Sequence, residues 1–173
     1  MSVPRPRRPR ERDRASAVDR CITHSSAPPR RWRTRRSTAP ASIEDIDTVL
    51  KRAPPTQASP TSTRANALLI ATSENFGGMA GIVKDFLERT YYPCEGRLEG
   101  RPYAVLVCAG TDGTGAMRDV DRVATGWRLH KVHPGLIHKS GVTAQPVIVP
   151  DDVLAQCREI GATLAAGVAA GIY

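Results

Sequence analysis

Two short stretches carry side chains and glycines in an order suited to gripping a flat ligand: TSENFGG at 72–78 and AGTDGTGA at 109–116. In the first, Asn75 supplies an amide and Phe76 an aromatic face, and the backbone N–H groups of Gly77 and Gly78 stand where a helix is expected to begin. In the second, Thr111 and Asp112 lie between Gly110 and Gly113. Glycine lets a backbone approach a ring closely, and short hydroxyl and amide groups can meet its polar edge. The same glycines would serve ordinary helix-entry turns, so each loop taken alone leaves both readings open. No Ser/His/Asp arrangement and no metal-ligand spacing accompanies them.

The flanking segments say how such loops would be positioned. ALLIAT (67–72) and YAVLVCAG (103–110) are short, continuous apolar runs, the pattern of strands covered on both faces. After the first loop, Met79, Ile82, Val83, Phe86 and Leu87 recur at helical spacing. After the second, Met117, Val120, Ala124 and Trp127 do the same. PVIVP (146–150) reads as a further strand, and Val153, Leu154, Cys157, Ile160 and Leu164 stripe a helix starting at Asp151–Asp152, where acids suit the positive end of its dipole. Alternating strands and helices with buried strands imply an α/β domain on a parallel sheet. In such sheets ligands sit at the carboxyl ends of the strands, where both loops fall.

IEDIDTVLKR (43–52) is ambiguous. Ser42 with Asp45 reads as a capped helix, and the alternation from Asp45 to Val49 as a strand. PPTQASPTST (54–63) is a linker or loop.

The 173 residues suit one domain, and the formal charge of +8 is unevenly spread. Residues 1–40 hold twelve arginines against Glu11, Asp13 and Asp19, a local +9 that leaves the rest of the chain at −1. The basic character therefore belongs to a tail. Such a tail would bind nucleic acid through counterion release, but Trp32 is its single aromatic, which gives base stacking little support; a solvated tail is the better expectation. Cys21, Cys94, Cys108 and Cys157 lie far apart without a CxxC pair, as expected of reduced thiols in a cytoplasmic protein. No apolar run approaches the ~20 residues of a membrane span. The start has arginines without an apolar h-region, so no secretory signal is expected, and Pro4, Pro6 and Pro9 speak against an amphipathic transit peptide.

The stretch TSENFGGMAGIVKDFLERTYYPCEGRLEGRPYAVLVCAGTDGTGA resembles the flavodoxin-like NAD(P)H-dependent FMN reductases and quinone reductases. In that family a P-x-x-F-G-x-M-x-G loop followed by a K-x-F-[LF]-[DE]-R helix carries ring contacts, and a later S-x-G-T-G-type loop carries more. Here the loop, the helix, the aromatic–Pro exit (Tyr91, Tyr92, Pro93) and the G-R-P-Y strand entry recur in order, over about residues 66–130, with Ser73 in place of the proline and Thr111 in place of the serine. The resemblance implies a flavodoxin-like three-layer sandwich with a parallel sheet of order 2-1-3-4-5. It implies FMN held noncovalently at the strand ends, and hydride transfer from NAD(P)H as co-substrate to a small-molecule electron acceptor such as a quinone. Carried over by position, Glu74, Asn75, Phe76 and Gly77 would line one side of the flavin, and Ala109, Gly110, Thr111, Asp112 and Gly113 the other. Such chemistry needs no acid–base triad, because the flavin carries the electrons. Some relatives place a histidine over the flavin near His130 and His133, although loop histidines are most often plain surface residues. Relatives often assemble into homo-oligomers, for which the sequence offers no separate signal. Two further functions stay open: a flavodoxin-like electron carrier or flavin-binding module without NAD(P)H turnover, and nucleic-acid binding through the arginine arm.

The front of the chain departs from this pattern. An apolar opening strand followed by a Ser/Thr/Gly loop should hold the FMN phosphate. The nearest remnant is a poor strand beginning at Val18, followed by HSSAPPRRWRT. Ser25, Ser26 and Thr34 are the candidate phosphate-binding residues, with Arg30 and Arg31 as a lesser alternative. The first strand is therefore expected to be doubtful or missing. Residues 1–42 read as a basic, disordered or aberrant segment, even a frame-shifted one, ahead of a domain over 43–173.

Overall fold

The computed structural model describes residues 16–22, 46–51, 65–141 and 149–173. Seven strands form a sheet in which the order β2-β1-β3-β5 is followed by β6 and β7, both paired to β5. The strands are β1 (Ser16–Ile22), β2 (Ile46–Lys51), β3 (Ala67–Asn75), β4 (Gly78–Met79), β5 (Pro102–Ala109), β6 (His130–Lys131) and β7 (Leu136–Lys139). All pairs are parallel except β4, which turns back antiparallel on the end of β3. The helices are α1 (Gly81–Cys94), α2 (Thr114–Gly126) and α3 (Asp151–Ala169).

The apolar runs become the centre of the sheet. Ala67, Leu68, Leu69, Ile70 and Ala71 of β3 and Tyr103 to Val107 of β5 are buried, as expected of strands covered on both faces. Alternation then sorts them between two cores. Leu68, Ile70, Tyr103, Val105 and Val107 pack with Val83, Phe86 and Leu87 of α1 and Val120 and Ala124 of α2. Leu69, Ala71, Ala104 and Leu106 face Ile160, Leu164 and Ala165 of α3. The result is three layers: α1 and α2, the sheet, then α3.

Several details differ from the expectations. The position between β2 and β3, for which the sequence offered only a poor strand, is filled by Ser16–Ile22, paired along both edges. One strand thus lies within residues 1–42; ladder bonds need backbone rather than apolar side chains, so composition understated it. The strand alternative for 43–52 is the one formed, as β2. The strand beside β5 is not PVIVP but a broken strand at 130–139: β6 pairs with Pro102–Tyr103 and β7 with Leu106–Ala109. Its four β7 residues are at most half-buried and Pro134–Gly135 interrupts it, so it lacks the apolar signature of a central strand. Val149 and Pro150 lead into α3 without strand pairing, and 142–148 lie outside the described residues. On α1, Ile82 is exposed, while Thr90 and Cys94 extend the buried stripe.

Candidate functional site

Both loops lie side by side at the carboxyl edge of the sheet, because β3 and β5 are parallel neighbours with Ser73 opposite Cys108. The strand order reverses at β1, so this edge also flanks a topological switch point, where α/β sheets bind ligands.

The first loop is a β-hairpin rather than a helix entry. β3 runs on to Asn75, which pairs with Gly78, and Glu74 pairs with Met79. Phe76 and Gly77 form the turn with φ of 51° and 73°. Positive φ at both central positions is the type I′ signature that suits hairpin twist. Gly77 adopts it freely, but for phenylalanine it costs about 1–2 kcal/mol. The Phe76 ring is nevertheless fully exposed at the tip. Gly77 and Gly78 therefore do not begin the helix; α1 starts at Gly81, after the buried Ala80. The hairpin base is held by Ala80 N, which donates to the Ser73 carbonyl at 3.0 Å and to the hydroxyl of buried Thr72 at 3.2 Å.

The second loop leaves β5 at buried Ala109, passes half-buried Gly110 and exposed Thr111 and Asp112, and enters α2 at Gly113. Gly113 has φ +88°, and a Cβ there would meet Ile137 Cγ2 at 2.3 Å, so glycine is required twice over. The Thr114 hydroxyl donates to Asp112 Oδ2, which fixes that carboxylate on the surface.

Glu74 joins the loops. Its Oε2 accepts from Gly113 N at 2.8 Å; its Oε1 accepts from Gly115 N at 3.1 Å and Ala116 N at 3.3 Å. These amides belong to the start of α2, whose first N–H groups have no partner within the helix. A Cβ on Gly115 would come within 1.9 Å of the Gly77 carbonyl oxygen, so only glycine permits the helix start to touch the hairpin. Asp119 adds a second tie: its Oδ2 accepts from Met79 N at 3.2 Å and would lie 2.9 Å from a Cβ on Gly78.

Asn75, Phe76, Gly77, Ala109, Gly110, Thr111, Asp112 and Gly113 thus form one rim, with Glu74 set between its halves. Ser25, Ser26 and Thr34, and with them Arg30 and Arg31, lie outside the described residues. His130 stands in β6 beside Pro102, at the amino end of β5 and away from the rim. His133 accepts at Nδ1 from Gly135 N at 2.9 Å, inside the break between β6 and β7. Asp119 and Ile137 were not foreseen. Neither has a local signal, since each acts on residues more than twenty positions away.

On the α3 face of the same edge, Cys108 lies in register between Ser73 and His138. Burial pushes its thiol pKa up, opposed by a hydrogen bond with Ser140. Among the described residues, no cluster of three or more His, Cys, Asp or Glu side chains could hold a metal ion. Among them, too, no helix is long and apolar enough to cross a membrane.

The residues present suit a neutral flat ring. The α2 amides that would attract an anion are taken by Glu74, and the rim presents an aromatic face at Phe76, hydroxyl and backbone groups at 110–112, and open space over Gly77.

No protein family matches the chain, and no curated protein is similar to it at significant level. Solved structures are. A flavodoxin from the domain Archaea superimposes with a TM-score of 0.66 at 16% identity, over 88% of this chain and 98% of that one. A WrbA-like flavodoxin from Agrobacterium tumefaciens gives 0.64 at 12% identity, over 88% and 97%. The flavodiiron protein from Giardia intestinalis gives 0.67 at 16% identity over 91% of this chain, which spans 37% of that larger one. The chain has the flavodoxin-like fold.

Proposed function

We propose that the chain is a flavoprotein that holds FMN at the paired loops and passes reducing equivalents from NAD(P)H to a quinone or similar small acceptor. The observation that carries this reading is the fully exposed Phe76, kept at positive φ on a hairpin clamped beside a glycine loop at the carboxyl edge of the sheet. Strain of that kind is retained where a site needs it. The similarity to flavodoxins and to a WrbA-like protein supports the same ligand class.

FMN, if bound there, would supply the two-electron chemistry between nicotinamide and acceptor. The chain's residues do the rest. Phe76 covers one face of the ring and shields it from water. Asn75 and the backbone of 110–113 meet its polar edge. Ser25 and Ser26 follow three and four positions after β1 ends at Ile22, and with Thr34 they are proposed to take the phosphate. The acceptor is a small molecule, and nucleic acid, membrane and assembly into homo-oligomers have no part in the proposal.

A second reading has its own support: two of the three structures compared are called flavodoxins, so the chain could carry electrons without turning over NAD(P)H. Purified protein distinguishes them. Yellow protein whose flavin absorbance bleaches on NADPH or NADH addition supports the reductase. Yellow protein that bleaches only with dithionite supports the carrier. Colourless protein that takes up no added FMN contradicts both. Phe76→Ala is expected to weaken FMN binding about tenfold, ~1.4 kcal/mol, with unchanged thermal stability, because the ring makes no buried contact.

A further inference from the structure

We infer that Glu74 is a positioning residue: a carboxylate that fixes the spacing of the two rim loops without touching the ring, although its place in the motif would make it a ring contact. This rests on the flavin reading and reassigns one of its residues.

Both carboxylate oxygens are committed. Oε2 takes Gly113 N and Oε1 takes Gly115 N and Ala116 N, at 2.8, 3.1 and 3.3 Å. Each is a charge-assisted hydrogen bond, stronger than a neutral one, and the negative charge lies at the positive end of α2, where the dipole favours it. Glu74 sits two residues before the turn residue Phe76, so the position of α2 is passed along the backbone to Asn75 and Phe76, one and two residues on. The backbones also touch, since Gly115 leaves no room for a Cβ beneath Gly77 O. With Asp119 holding Met79 N, two carboxylates and one glycine contact lock the hairpin onto α2. The rim is therefore set before any ligand arrives, which lowers the ordering cost of binding. A second consequence concerns charge. The α2 start is filled by this chain's own carboxylate, so the FMN phosphate has to be held elsewhere along the edge.

The test uses the full chain as wild type, Glu74→Gln and Glu74→Ala, each checked for folding by circular dichroism. Glu74→Gln keeps the side-chain size and stays informative if the alanine variant is poorly folded. In flavin-free protein, hydrogen exchange at Gly113, Gly115 and Ala116 is expected to accelerate by ~10-fold or more in Glu74→Ala, the loss of at least one charge-assisted bond. Titrated FMN should bind ~10-fold more weakly in Glu74→Ala and by a lesser factor in Glu74→Gln. Added sodium formate, small enough to fill the vacated amides, should partly restore both protection and affinity in the alanine variant.

Faster exchange with FMN affinity within about twofold of wild type would overturn the inference, since the carboxylate would then matter to the helix alone. Unchanged exchange in Glu74→Ala would overturn it too. If wild type itself takes up no FMN, the flavin reading fails; the exchange result, with or without formate rescue, still decides whether Glu74 holds the loops.

Discussion

The sheet is tied to α2 at both ends by a carboxylate, and the two ties use it in opposite ways. At the carboxyl edge, Glu74 reaches from β3 and takes three backbone amides. At the amino edge, Asp121 on α2 takes side chains, accepting from the buried Tyr103 hydroxyl of β5 at 3.0 Å and the Lys131 ammonium of β6 at 2.5 Å. There the side chains are tied to one another. A carboxylate that satisfies only backbone takes up none of the neighbouring side chains, and Phe76, Thr111 and Asp112 stand exposed beside it. On the proposed reading, the amino edge is a structural tie and the carboxyl edge a tie that also frames the flavin.

The largest expected effect comes from forcing the carboxyl edge apart. Gly115→Val puts side-chain atoms where the Gly77 carbonyl stands and should cost about 3 kcal/mol in urea denaturation. It should also weaken FMN binding, so equal affinity in the folded variant would break the link between hairpin contact and rim. At the amino edge, Asp121→Ala strands the buried Tyr103 hydroxyl and should cost about 1–2 kcal/mol, with FMN affinity unchanged. A loss of affinity there would erase the distinction between the ends.

Tyr103→Phe removes the hydroxyl without stranding it on the strand side, and about 1 kcal/mol is expected. It carries a pH signature as well. Burial, with the Asp121 hydrogen bond, holds the Tyr103 pKa above the ordinary tyrosine value. Above pH ~10 the unfolded chain gives up this proton first. Stability, complete below that pH, therefore falls as pH rises further. Denaturation midpoints between neutral and strongly alkaline pH should decline less steeply in Tyr103→Phe. The smallest effect belongs to neither end: Glu88→Gln breaks an exposed pair with Lys84 on α1 and should leave the melting temperature unchanged.

Much of this was legible in the chain, for identifiable reasons. Runs such as ALLIAT and YAVLVCAG are unbroken because their strands are buried on both faces, so they announce themselves. The stripes on α1, α2 and α3 follow helical spacing for the same reason, although Ile82 is exposed and Met117, Val153, Leu154 and Cys157 are only partly buried. Its break and its polar side chains hid the strand at 130–139, whose histidines and lysines are half-exposed or exposed and look like loop. At Ser16–Ile22, pairing depends on backbone on both sides, which Asp19 and Arg20 do not advertise. The two rim loops were visible as glycine-bearing turns at strand ends. Their coupling was not, because Glu74 meets partners 39 to 42 residues away and no local pattern records such a contact.

The distinction between the two ends meets its most direct test in backbone amide chemical shifts followed while FMN is titrated into 15N-labelled protein. Shifts concentrated at Asn75–Gly78 and Gly110–Gly113, with Tyr103, Asp121 and Lys131 silent, are the predicted result. Shifts centred on the amino edge, or an unchanged spectrum at saturating FMN, would contradict it.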